Sequence, residues 1–139
     1  MTNEHTLVIQ KTIPEFFTVA DETSITKGEV LKLTDPNTAS ASASAADIVA
    51  GIAYTDKIAN DGVTKLAVIS GPGDVLIGIA SGSISVGDPL ITAVGPTSNY
   101  LSSGLYTANL SGSQIIGFSR ETATEGETFK YVLNIGNGL

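Results

Sequence analysis

The chain of 139 residues has no cysteine, no tryptophan, one histidine, one methionine, and seven basic residues against fourteen acidic ones. Without cysteine there is no disulfide framework, no thiolate metal site and no cysteine nucleophile. A net charge of -7 repels phosphate backbones instead of releasing counterions from them, which argues against nucleic acid as a partner. No apolar run approaches the roughly 18 residues a membrane helix needs. The start, MTNEHTLVIQKT, also lacks the basic and then apolar pattern of a secretion signal. The expectation is a soluble protein, made and used without export, with no membrane partner.

What is present favours strands. Hydrophobic residues make up 42% and charged residues 15%, enough apolar content to fold. Fifteen glycines, five prolines and abundant Ser, Thr, Val and Ile suit turns and pleated surfaces better than helices. Alternation and turn residues predict strands near Phe16 to Ala20, Val30 to Leu33, Val49 to Tyr54, Thr64 to Ile69, Val75 to Ala80, Leu90 to Ala93, Gln114 to Ser119 and Phe129 to Ile135. The turns between them are TKGE, ANDGV, SGPGD, SVGDP, VGPTSN and TEGE. Little or no helix is expected, with Asp56 to Asn60 as the one stretch that would take a short one.

An internal repeat organises these strands. FFTVADETSITKGEVLKL (Phe16 to Leu33) aligns without gaps on VLIGIASGSISVGDPLIT (Val75 to Thr92). Further on, Gly51 pairs with Gly117, Gly62 with Gly126 and Lys65 with Lys130. Two copies of a β unit, each with an exposed edge and an apolar face, close most naturally on each other. The fold class read here is therefore all-β: an antiparallel β-barrel or β-tulip-like domain built from two similar units. Residues 1–15 form an N-terminal arm, and residues 16–139 a single β domain with repeat units at about 16–72 and 75–136. The run TASASASAAD (Thr38 to Asp47) lies inside the first unit and reads as a small-residue edge segment or an ordered loop.

No chemistry emerges from the motifs. His5, in the polar arm, reads as a solvated residue with nothing to orient it as a base. GSISVG (Gly82 to Gly87) fails as a nucleophile elbow, because no helix follows it. GPGD (Gly71 to Asp74) is too short for a phosphate loop. In DKIANDG (Asp56 to Gly62), Lys57 and Ala59 stand where the first and third ligands of a calcium loop belong. NLS (Asn109 to Ser111) is a glycosylation sequon without a secretion signal. Acidic residues such as Asp21, Asp61, Asp74 and Asp88 are scattered over turns and read as solvated. No catalytic, cofactor-binding or metal-binding residue is assigned, and the protein reads as not an enzyme.

The stretch GEVLKLTDPNTASASASAADIVAGIAYTDKIANDGVTKLAVISGPGDV resembles the core of the tailed-bacteriophage head decoration, or capsid cement, proteins. The second unit, GDPLITAV through IIGFSRETATEGETFKYVLNIG, is similar to them as well, so the resemblance covers nearly all of Phe16 to Gly136. It implies a structural virion protein on the outer surface of an icosahedral capsid, made in the host cytoplasm. It also implies a homo-oligomer, with a trimer favoured, that stabilises the shell by bridging subunits of the major capsid protein. In some members of that family an N-terminal arm adds a strand to the shell protein. His5, Leu7, Ile9, Lys11 and Ile13 are then the capsid-contact candidates, since alternation over HTLVIQKTI suits strand addition. The same alternation fits an ordinary first strand of the barrel equally well. The alternative function is a non-catalytic carbohydrate- or host-surface-binding β module, which would ordinarily display the clustered aromatics missing here.

Overall fold

The computed structural model describes residues 4–93, 99–105, 107 and 109–136. Most of the predicted turn VGPTSN, the first three residues of the arm and Tyr106 therefore lie outside the described residues. The chain is all-β. Its strands are β1 (Thr6–Ile9), β2 (Glu15–Thr18), β3 (Val30–Asp35), β4 (Thr38–Ala41), β5 (Val49–Ala53), β6 (Lys65–Ile69), β7 (Val75–Ala80), β8 (Pro89–Thr92), β9 (Tyr100–Ser103), β10 (Gly117–Ser119) and β11 (Thr128–Leu133). A 3-10 turn, Gly112–Gln114, precedes β10. Asp56 to Asn60 takes no helix: Lys57 forms an isolated antiparallel bridge with Ile25 and the chain then turns.

The two units close into two barrels. The first runs β2-β4-β3-β5-β6. The second runs β7-β11-β10-β8-β9 and closes through a parallel β7–β9 pair, with β1 added to it along β7. The registers repeat as the sequence alignment requires. Leu31 faces Gly51 and Val30 faces Ile52 in the first barrel; Leu90 faces Gly117 and Pro89 faces Phe118 in the second. Gly51 and Gly117 are required at these places. A Cβ on Gly51 would collide with the carbonyl oxygen of Ile69, and one on Gly117 with that of Val132.

The Ala-Ser run supplies a barrel strand. Thr38–Ala41 pairs antiparallel with β3 and parallel with β2, and Ala39 is buried. After it, the Asp47 carboxylate accepts from Ser42 Oγ and from the backbone N–H groups of Ala43 and Ser44 at 2.8 to 3.0 Å, which fixes the loop.

Four turns repeat one design. In Thr26–Glu29, Ser85–Asp88, Thr124–Glu127 and Ile58–Asp61, the last residue's carboxylate accepts from the first residue's backbone N–H, at 2.9, 3.0, 2.8 and 3.3 Å. The third residue has positive φ in each: Gly28, Gly87, Gly126 and Asn60. The structural partner of Gly126 is thus Asn60 rather than Gly62, which lies two residues further along.

The barrels share a core. A smaller cluster with Phe17, Leu31, Leu66 and Val68 fills the first barrel. A larger one combines Leu76, Leu90, Leu101, Tyr131 and Leu133 of the second barrel with Val30, Val49, Ile52 and Ile69 of the first. β5 lies between the clusters, which is why all five of its residues are buried. Hydrogen bonds cross the same junction. Val30 N donates to Asn99 Oδ1, Ala46 N to Thr92 O, and Gln114 Nε2 to Ala46 O, at 2.7 to 3.0 Å.

Candidate functional site

The capsid-contact candidates occupy three different environments. His5 is not a solvated arm residue: it is buried at the junction of the barrels. Its backbone N–H donates to Gly28 O at 2.8 Å, Nε2–H donates to Asn99 O at 2.6 Å, and Nδ1 accepts from the Tyr131 hydroxyl at 2.6 Å. The ring stands edge-on to Tyr131 at 5.4 Å and occupies space that Gly78 leaves by having no side chain. Burial pushes the imidazole down to about 4, against the smaller opposing effect of the Asn99 carbonyl. It also pushes the Tyr131 phenol up.

Leu7 is half-buried and packs against the larger core cluster, while Ile9 and Ile13 are exposed, at 47% and 89%. Lys11 has an exposed side chain, and its backbone N–H donates to Asp74 Oδ1. The same Asp74 carboxylate accepts from the backbone N–H and hydroxyl of Thr12. Asp74 is therefore fully buried and not the solvated turn acid expected from its surroundings, and Asp88 is nearly so. Residues 6–9, read from the sequence as part of an arm, are a strand on β7 with anchors at both ends: His5 before it and Asp74 after it.

The burial of two charged side chains was not anticipated by the motif reading. The Lys57 side chain is fully buried, and its ammonium donates to the carbonyls of Asp21, Thr23 and Ile58 at 2.8 to 3.2 Å and to Asp61 Oδ1 at 3.3 Å, with Asp21 Oδ1 at 3.7 Å. The lysine thus fills the oxygen cage of the calcium-like stretch with its own cation. Backbone N–H groups of Val63 and Ile58, with that ammonium, hold the Asp61 carboxyl below its usual range. Glu29 is buried, Oε1 accepts from Thr26 N, and Oε2 has no partner among the described residues. Burial pushes its carboxyl up, and Glu4 adds to that direction. A cavity lined by His5, Leu7, Gly28, Ile52, Tyr54 and Leu76 has room for no more than a water molecule. Among the described residues, no group of three His, Cys, Asp or Glu gathers to hold a metal ion.

What this geometry offers is surface and strand edges. On the first barrel, Phe16 is 70% exposed, and Ile13 lies just before it. The chain matches no protein-family model and no curated protein sequence. In fold it is similar to the solved structure of the head fiber gp8.5 N base in bacteriophage phi29, with a TM-score of 0.53 and 18% identity. That likeness covers 88% of this chain and 93% of the other. At that identity it establishes a shared fold across both barrels.

Proposed function

We propose that this chain is a structural protein of a tailed-phage head. In this reading it is a decoration or cement protein that binds the outer surface of the capsid and bridges major capsid protein subunits. The observation that carries the proposal is the fold likeness to a phage head fiber base over nearly the whole of both chains. It is supported by the resemblance of Phe16 to Gly136 to head decoration proteins. The role is non-catalytic, in keeping with a single histidine engaged by Tyr131 and Asn99. Copies act as a homo-oligomer, with a trimer favoured, and many individually modest contacts add up across the lattice. The protein is made in the host cytoplasm and carried on the virion.

The test is reconstitution. Purified heads lacking the protein are incubated with it, sedimented, and heated with and without it while DNA release is followed by dye fluorescence. The expected result is saturable co-sedimentation and a higher release temperature. A protein that stays in the supernatant at every concentration would overturn the proposal.

A further inference from the structure

The two barrels differ at one edge, and the difference defines a docking place. β7 is covered along Val75–Ile77 by β1, with Thr6 opposite Ile77 and Leu7 opposite Leu76. The aligned strand of the first barrel is β2, where Phe16 stands for Val75, Phe17 for Leu76 and Thr18 for Ile77. Their partners correspond too, since Phe17 faces Leu66 as Leu76 faces Tyr131. Yet among the described residues β2 meets β4 only through Thr18 and Thr38, and no strand lies on that side of Glu15–Phe17.

The backbone there is aimed outward. Val19 N donates to Thr64 O and Thr18 N to Asn37 O, so odd-numbered residues face β6 and even-numbered residues face the β4 side. The N–H and C=O of Phe16 therefore point to the uncovered edge. Its side chain and that of Ile13 are exposed beside it, at 70% and 89%. The end anchor has a counterpart as well. Asp74, which caps Lys11 and Thr12 beyond β1, aligns with Glu15, which is exposed and whose side-chain carboxylate accepts no hydrogen bond from the described residues.

We infer that the open edge of β2 receives an extended apolar segment of the shell protein, antiparallel to β2, as β1 lies on β7. This rests on the capsid reading above. β1 itself indicates the segment's chemistry: an apolar residue to cover Phe16 and Ile13, followed by backbone N–H groups, a hydroxyl or a basic side chain to meet Glu15. A second copy of the chain is disfavoured as the occupant. Its own β1 is held by His5 and Asp74, and a symmetric β2–β2 pairing would bring two Glu15 carboxylates and two chains of charge -7 together. The docked segment is short. Gly78, which makes room for His5 on β7, aligns with the buried Val19, and Thr38 already occupies that end.

The experiment compares the unaltered protein with Phe16→Pro, which removes the outward N–H while sparing the bonds to β6. A second variant, Ile13→Ser/Phe16→Ser, keeps the backbone intact, and Val86→Ser serves as a control on an exposed apolar residue elsewhere. Each is titrated onto purified undecorated heads, and its thermal unfolding and molar mass in solution are recorded. The expected result is a loss of head affinity of about tenfold or more in both edge variants, unchanged binding of the control, and little change in unfolding temperature for the serine pair. Equal binding by the serine pair overturns the inference and leaves the capsid reading standing. No binding by the unaltered protein overturns both. Self-association that the edge variants abolish, with head binding retained, identifies a second copy as the occupant and also overturns the inference.

Discussion

The Tyr131 hydroxyl donates to Nδ1 of His5 over 2.6 Å, tying the residue just before the first strand to the middle of the last one. With the Asn99 carbonyl taking the proton on Nε2, the imidazole is held neutral with both nitrogens satisfied.

A pH dependence follows from this burial. The unfolded imidazole titrates near 6.5 and the folded one near 4. Above pH 6.5 both forms are neutral, and the site adds no pH dependence. As pH falls from 6.5 towards 4, the unfolded chain takes up a proton that the folded chain refuses, so stability drops by up to about 3 kcal/mol. Glu29, whose carboxyl is raised, works the other way as pH falls through the acidic range, but it is common to both proteins compared. Denaturant unfolding of the unaltered protein and of His5→Gln between pH 7.5 and 4.5 should give a flatter profile for the variant. Parallel profiles would exclude His5 as the source. Tyr131→Phe, which leaves Nδ1 without its donor, should cost about 1 to 3 kcal/mol at pH 7.

Lys57→Met keeps the aliphatic volume but removes the cation from its cage. Three carbonyls and Asp61 then lose their donor, at a cost of about 3 kcal/mol. Both carboxylates keep some water, with side-chain exposures of 40% for Asp21 and 28% for Asp61, which holds the cost at the lower end of the range for buried pairs. Calorimetric unfolding measures it. A variant as stable as its parent would mean that the cage contributes nothing.

Gly51→Ala and Gly117→Ala should each prevent folding or cost more than about 3 kcal/mol, because the added methyl meets the backbone of a neighbouring strand. Gly82→Ala is the contrast. It has positive φ but open space around it, so only about 1 kcal/mol of conformational penalty is expected. Soluble yield and circular dichroism separate the two cases, and similar behaviour in all three would refute the steric account.

Asp74→Ala removes the acceptor that holds Lys11 and Thr12. Faster hydrogen exchange in β1 is expected, with protection in β3 and β5 retained and a global loss of about 1 to 3 kcal/mol. If the exchange of β1 stays as slow as that of β3, Asp74 is not what secures it.

Much of the architecture could be read from residue order. The repeat of Phe16 to Leu33 in Val75 to Thr92 marked two copies of one unit, because Gly28 and Gly87 hold the positive-φ place of matching turns, while Gly51 and Gly117, further along each unit, mark close backbone approaches where a side chain would collide. β4 and β9 were harder. Thr-Ala-Ser-Ala and Tyr-Leu-Ser-Ser carry too few large apolar residues to signal burial, and their pairing is set by barrel closure. His5 was misread because its partners lie 126 and 94 residues away and a polar neighbourhood in sequence says nothing about them. Lys57 counted in the sequence only against a calcium loop, and its burial was not legible, since the carbonyls that cage it are backbone atoms with no sequence signature. The open edge of β2 became visible only by comparing one barrel with the other.

The placement of β1 has a mechanical consequence. β1 and β11 lie on opposite sides of β7, both antiparallel to it, while the whole first barrel is threaded between β1 and β7 in chain order. Tension applied between β1 and β11 therefore shears the β7 ladders directly and bypasses the first barrel, which hangs from the load path as a side loop.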